Sequence, residues 1–218
     1  MTSLDNPRRL TAIDHLLVNF DHGLRTVFGD PPTTERANPA IGIAETELDD
    51  AERRLSGSLM RINHAGEVSA QGLYQGQALT ASLPKVRSAM ERAAMEENDH
   101  LVWCSRRIDE LGTHTSLLNP VWYLGSLGIG ALAGAIGDRW SLGFVAETEH
   151  QVIRHLDEHL QRLPEQDHKS RTILEQMRED EAHHATIALE GGGAPLPTPI
   201  KRGMGLVSKV MTGLAGRI

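Results

Sequence analysis

The chain has 218 residues, 39% of them hydrophobic, enough for one domain with a true core and too apolar for wholesale disorder. Its formal net charge of -7 leaves no basic face for phosphate, which excludes nucleic acid as a partner. A single cysteine, Cys104, excludes an internal disulfide framework and a thiolate-rich zinc site and is assigned to core packing.

In chain order, the opening MTSLDNPRRLTAIDH lacks the apolar stretch of a secretory signal, so the chain is read as lying on the cytosolic side. Residues 1–47 read as an N-terminal appendage. Within it, 10–28 carries Ile13, Leu16, Leu17, Phe20 and Leu24 at amphipathic-helix spacing, and GDPPTTERANPA follows as a Pro-rich linker. From residue 48 to 193 the pattern becomes long helices with clear punctuation. The first spans 49–81. The second spans 84–111, with Pro84 in its first turn and Gly112 at its stop. A third, 117–137, has no charged residue before Asp138; a fourth runs from 138 to just before Pro164. The fifth covers 167–190 and ends in Gly191-Gly192-Gly193. Residues 194–218 hold a PLPTPI linker and a basic amphipathic helix from 201, with Lys201, Arg202, Lys209 and Arg217 and no acid. No alternating runs bounded by turns occur, so the fold class is all-α.

Two Glu-x-x-His motifs stand out, Glu97 with His100 and Glu181 with His184. Positions i and i+3 share a helix face, so each pair can aim at one centre. Glu67 precedes Glu97 by 30 residues, and the midpoint falls beside the Pro84 turn. Glu149 precedes Glu181 by 32 residues, with its midpoint beside Pro164. Antiparallel packing about those turns brings each pair of glutamates to one height. The chain therefore reads as two duplicated helix hairpins joined by the apolar segment 117–137. All four glutamates lie in apolar stripes: Glu97 among Met90, Ala94, Leu101, Cys104 and Ile108, and Glu149 among Leu142, Val145, Ala146, Val152 and Leu156. Isolated buried charge costs several kcal/mol or more, and two divalent metals shared by Glu67, Glu97, His100, Glu149, Glu181 and His184 remove that cost. Oxygen ligands with imidazole and without thiolate suit iron or manganese. Competing pairs fit less well. Glu147 with His150 has Gln151, Arg154 and Glu158 on a wet face, and Asp180 with His183 has a mixed one. His64, Asp99 and Asp180 are placed to support ligands from behind, the two aspartates by orienting an imidazole of the partner hairpin.

With Asn63-His64-Ala65-Gly66-Glu67, Glu97-Asn98-Asp99-His100 and Arg178-Glu179-Asp180-Glu181-Ala182-His183-His184 in view, the chain resembles the demethoxyubiquinone hydroxylase family over residues 49 to 218. The resemblance implies a ferritin-like bundle with the same six metal ligands, Glu97 and Glu149 bridging two iron ions per chain. It further implies O₂-dependent hydroxylation of a polyprenylated demethoxyubiquinol ring in ubiquinone biosynthesis, with reduced nicotinamide as electron source. No dinucleotide-binding Gly-x-Gly-x-x-Gly after a strand is present. An iron-binding or storage bundle without organic substrate is the alternative, since it would use the same ligand atoms.

A polyprenyl substrate resides in the bilayer. Segment 117–137 is long enough to span, but Asn119, Pro120 and five glycines argue for a crossover helix with a lipid-facing surface. The basic C-terminal helix is expected at the interface, attracted by anionic lipid. The implied partners are the membrane-resident quinol, the membrane surface and other ubiquinone-biosynthesis proteins, with homo-oligomerisation open. The implied location is peripheral, on the cytoplasmic face of the cell membrane.

Overall fold

The structure, a computed structural model, describes residues 12–29, 31–34 and 36–218, with side chains from residue 17 onward. Among these residues all regular structure is helical: α1 (Ala12–Phe28), α2 (Asp50–Thr80), α3 (Pro84–Glu110), α4 (Asn119–Ile136), α5 (Asp138–Arg162), α6 (His168–Glu190) and α7 (Thr198–Ala215). The all-α expectation holds, and the five central helices start and stop within about two residues of their punctuation. Asp49 caps α2 by accepting from the Ala51 and Glu52 amides while Glu52 reaches back, a reciprocal capping box. Asp167 caps α6 through the Ser170 amide. Helix α7 begins three residues earlier than the charge pattern suggests, because Pro199 is tolerated in a first turn.

α2 with α3, and α5 with α6, form the two hairpins, and α4 crosses between them lying against α2. That crossing is close because glycines face glycines. A methyl group on Gly72 or Gly76 would collide with the α4 backbone at Tyr123 and Leu127, and one on Gly130 would meet the Leu73 carbonyl. The glycines that weaken α4 as a helix are what let it press onto α2. At Gly137, φ is +129°, a value L side chains rarely adopt, and the chain turns there directly into α5. Asp138 then accepts from the Ser82 and Leu83 amides, tying this junction to the α2–α3 turn.

Two apolar clusters plug the bundle. One gathers Leu59, Met60, Trp103, Cys104, Ile108, Leu156, Ile173 and Met177; the other gathers Tyr74, Val86, Met90, Leu142, Val145 and Ala188. In sequence, Glu67, Glu97, Glu149 and Glu181 fall between the two sets, so the carboxylates occupy one layer between two dry ends. Cys104 packs there, its Sγ 3.7 Å from Met177 Sδ.

The flanking segments are both docked. α1 buries Gly23 and Thr26 against the bundle, while Leu17, Phe20, Leu24 and Phe28 of its apolar stripe face outward; the side chains of Ile13 and Leu16 lie outside the described residues. The prolines make residues 31–34 and 36–49 non-helical, as expected of a linker, yet these residues form a strap fastened across α3 and α6. Glu45 pairs with the buried Arg107 (2.7 Å) and with Lys169 (3.1 Å). α7 lies on α2 and α5, with Ala215 buried, Ser58 donating to the Gly216 carbonyl, and His155 Nε2 2.9 Å from Ser208 Oγ. No described helix is long and apolar enough to cross a membrane.

Candidate metal centre

The antiparallel hairpins bring the ligand heights together as the midpoints require. Glu67, Glu97, His100 and Glu181 each offer an atom within 4.8 Å of the others, all four buried. His100 Nδ1 lies 2.9 Å from Glu97 Oε2, 3.2 Å from Glu181 Oε1 and 3.7 Å from Glu67 Oε2. His184 Nδ1 lies 3.0 Å from Glu97 Oε1 and 3.3 Å from Glu181 Oε2. Each motif glutamate thus turns one oxygen to each histidine. Glu149, fully buried, accepts from Tyr74 Oη and feels Glu181, Glu97 and His184. All six expected residues converge in one layer.

The resemblance placed Glu97 and Glu149 between the two ions. In the structure the glutamates that each face both histidines are Glu97 and Glu181, because the two Glu-x-x-His helices α3 and α6 face each other. Glu67 closes the His100 end and Glu149 the His184 end.

Behind each histidine stands a carboxylate from the other hairpin. His100 Nε2 is 2.9 Å from Asp180 Oδ2, and His184 Nε2 is 2.8 Å from Glu96 Oε2. A neutral imidazole donating Nε2–H outward leaves Nδ1 free as a ligand atom, the usual way an outer carboxylate fixes the tautomer. Asp180 therefore plays its expected part. Asp99 does not: it accepts from Thr34 and Arg36 of the strap. Glu96 was missed, although an acid immediately before each motif glutamate, repeated 84 residues apart, is the signal. His64 is not among the clustered ligand residues; its Nδ1 lies 3.5 Å from Asn119 Nδ2. Glu147 is buried rather than wet, but under α7, where Lys201 pairs with it at 2.8 Å; His150 and His183 are exposed.

Electrostatics decides what the layer can hold. Burial and then the Glu97 charge drive Glu67 well above the usual carboxylate range, and burial with Glu181 and Glu97 does the same to Glu149. Burial would also raise Glu97, but the two histidines outweigh it and hold Glu97 well below that range. Burial depresses His184, yet Glu181 and Glu97 outweigh it and push the imidazole up to about 12. Glu97 Oε1, fully buried, has His184 Nδ1 at 3.0 Å but no donor aligned for a hydrogen bond. This donor set, rich in oxygen and free of thiolate, fits a pair of hard divalent cations.

Residues 54–215 match the family described as ubiquinone biosynthesis protein COQ7. The chain belongs to this family. A 3-demethoxyubiquinol 3-hydroxylase of Nitrosococcus oceani (strain ATCC 19707) is 66% identical over 208 residues, covering 95% of this chain and 97% of that protein. Proteins of the same name from Stutzerimonas stutzeri and Azotobacter vinelandii are 58% and 59% identical, covering 99% and 98% of this chain and 100% and 99% of their own. Among solved structures, the dodecameric thioferritin of Bacteroides fragilis, a bacterioferritin-related protein, superposes with a TM-score of 0.50 at 19% identity, covering 66% of this chain and 92% of its own. That likeness gives the COQ7-family chain its fold, a ferritin-like bundle.

Beside the centre, α2, α4, α5 and α7 enclose a cavity of about 440 Å³ that reaches Glu67. Its walls are mostly apolar, with Ile62, Leu73, Ile129, Phe144, Val152 and Val207 among them. Asn63 Nδ2 and Trp122 Nε1 lie buried without acceptors on side chains that line it.

Proposed function

We propose that this protein is a di-iron monooxygenase that hydroxylates the ring of a polyprenylated demethoxyubiquinol with O₂, in ubiquinone biosynthesis. The observation that carries this reading is the apolar cavity ending on Glu67, one of six buried residues that fit a metal pair, in a chain up to 66% identical to proteins named 3-demethoxyubiquinol 3-hydroxylase.

Glu67, Glu97 and His100 would hold one iron and Glu149, Glu181 and His184 the other, with Glu97 and Glu181 shared. When bound, the irons supply reductive activation of O₂, one oxygen atom entering the ring and the other leaving as water, with reduced nicotinamide providing the two electrons. The protein's own residues do the rest. Asp180 and Glu96 hold the imidazoles with Nδ1 inward, and Tyr74 holds Glu149. The apolar cavity walls exclude water from the ring. Asn63 and Trp122 offer unpaired donors to the oxygens of a quinol.

The cavity is flanked by exposed apolar stripes. α4 shows Val121, Leu124, Leu132 and Ile136, and α7 shows Leu206, Val207 and Val210. These flanks, with the exposed stripe of α1 and the cations of α7, support a peripheral seat on the cytoplasmic face of the cell membrane, from which the substrate enters by its head.

Anaerobic loading with ferrous ion, addition of demethoxyubiquinol in vesicles and exposure to ¹⁸O₂ tests the reading. The expected product carries one ¹⁸O on the ring. Rapid iron oxidation without ring hydroxylation, and many irons per chain, would replace it with the storage role.

A further inference from the structure

We propose that the N-terminal strap supplies part of the metal centre's outer support, with Arg36 as a positioning residue for His100. The proposal rests on the reading that the buried cluster holds metal.

The strap lies outside the matched family region, which begins at residue 54. Its Arg36 joins two carboxylates of different helices. Nε is 2.9 Å from Asp99 Oδ2 on α3, and Nη1 is 2.7 Å from Asp180 Oδ2 on α6. The same Asp180 oxygen stands 2.9 Å from His100 Nε2. The guanidinium also lies 5.2 Å over the Trp103 ring, and Trp103 packs on the His100 ring at 5.3 Å. Arg36 therefore reaches His100 by two routes, a carboxylate and an aromatic face. A planar guanidinium with forked donors can span two carboxylates and stack on a ring at once, which lysine cannot.

The other histidine shows why this matters. Glu96, behind His184, is fixed by Arg92 one turn away on α3, Nε to Oε1 at 2.7 Å. Asp180 has only Gln176 as a donor one turn away, Nε2 to Oδ1 at 3.0 Å. Its guanidinium arrives from outside the bundle. Thr34 completes the attachment, its amide 2.8 Å and its hydroxyl 2.5 Å from the buried Asp99 carboxylate. Losing Arg36 would free Asp180 to turn toward solvent and leave Asp99 buried with one partner fewer.

The test is anaerobic titration of the full chain with ferrous ion, followed by Mössbauer spectroscopy, on wild type, Arg36→Met, Arg36→Lys and Glu45→Gln. Arg36→Met is expected to weaken one of the two iron sites about 10- to 100-fold and alter its quadrupole doublet, the other site keeping its affinity. Arg36→Lys is expected to show a smaller loss of the same kind, and it decides the matter if the methionine variant does not fold. Glu45→Gln loosens the strap at its far anchor and is expected to lower the melting temperature with both iron sites intact. Unchanged affinity and spectrum in both Arg36 variants would overturn the proposal, as would an equal loss of iron in Glu45→Gln, which would make the strap a clamp only. A wild type that binds no iron would instead defeat the metal reading beneath it.

Discussion

The α2–α3 hairpin and the α5–α6 hairpin present the same groups to the centre and hold them by different means. On α3, Glu97 and His100 follow Glu96, which reaches His184 and is fixed by Arg92 on its own helix. On α6, Glu181 and His184 follow Asp180, which reaches His100 and depends on Arg36 from the strap. Each helix thus orients the other's imidazole. Neither hairpin contains a finished half-site, which ties metal binding to their docking.

The two glutamates that face both histidines, Glu97 and Glu181, give the largest contrast. Glu97→Gln and Glu181→Gln each remove the charge and one oxygen of a carboxylate that faces both histidines, and both metals are expected to be lost, with ring hydroxylation falling more than about 100-fold. Glu67→Gln and Glu149→Gln each touch one end, and iron analysis should find about one ion retained. Next come the outer carboxylates. Glu96→Gln and Asp180→Asn are each expected to weaken one site about 10- to 100-fold in ferrous titrations. The affected site should be the one whose histidine sits on the opposite hairpin, so the two variants should perturb different spectral components.

Each hairpin also buries a histidine away from the centre, His64 on α2 and His159 on α5. Burial lowers His64 to about 4; burial, with His155 and Arg162 adding to it, lowers His159 to about 4. Unfolded histidine titrates near 6.5, so between about 4 and 6.5 the unfolded chain binds more protons and stability falls as pH falls. The ceiling is about 3 kcal/mol per histidine, and urea denaturation of the metal-free protein should lose this slope in part in His64→Gln. The smallest expected effect is steric. Gly76→Ala puts a methyl group into the α4 backbone and should cost about 1–3 kcal/mol by thermal melting, with metal content unchanged.

Helix limits were legible because Pro84, Gly112, Pro164 and Gly191 are local signals. The six converging residues were legible because two hairpins about known turns fix heights. Spacing says nothing about which oxygen faces which nitrogen, so the approach of Glu181 to both histidines needed coordinates. Glu147 looked wet because the residues that cover it come from α7, some fifty positions on. The strap's contacts were invisible for another reason: an extended segment has no period, and Arg36 meets Asp180 across 144 residues of sequence.

Iron content of the full chain after anaerobic reconstitution, read with Mössbauer spectroscopy before and after oxidation, tests the duplicated centre most directly. About two irons per chain, with an antiferromagnetically coupled diferric signal, is the predicted result. One iron, none, or a large mineral core would contradict it.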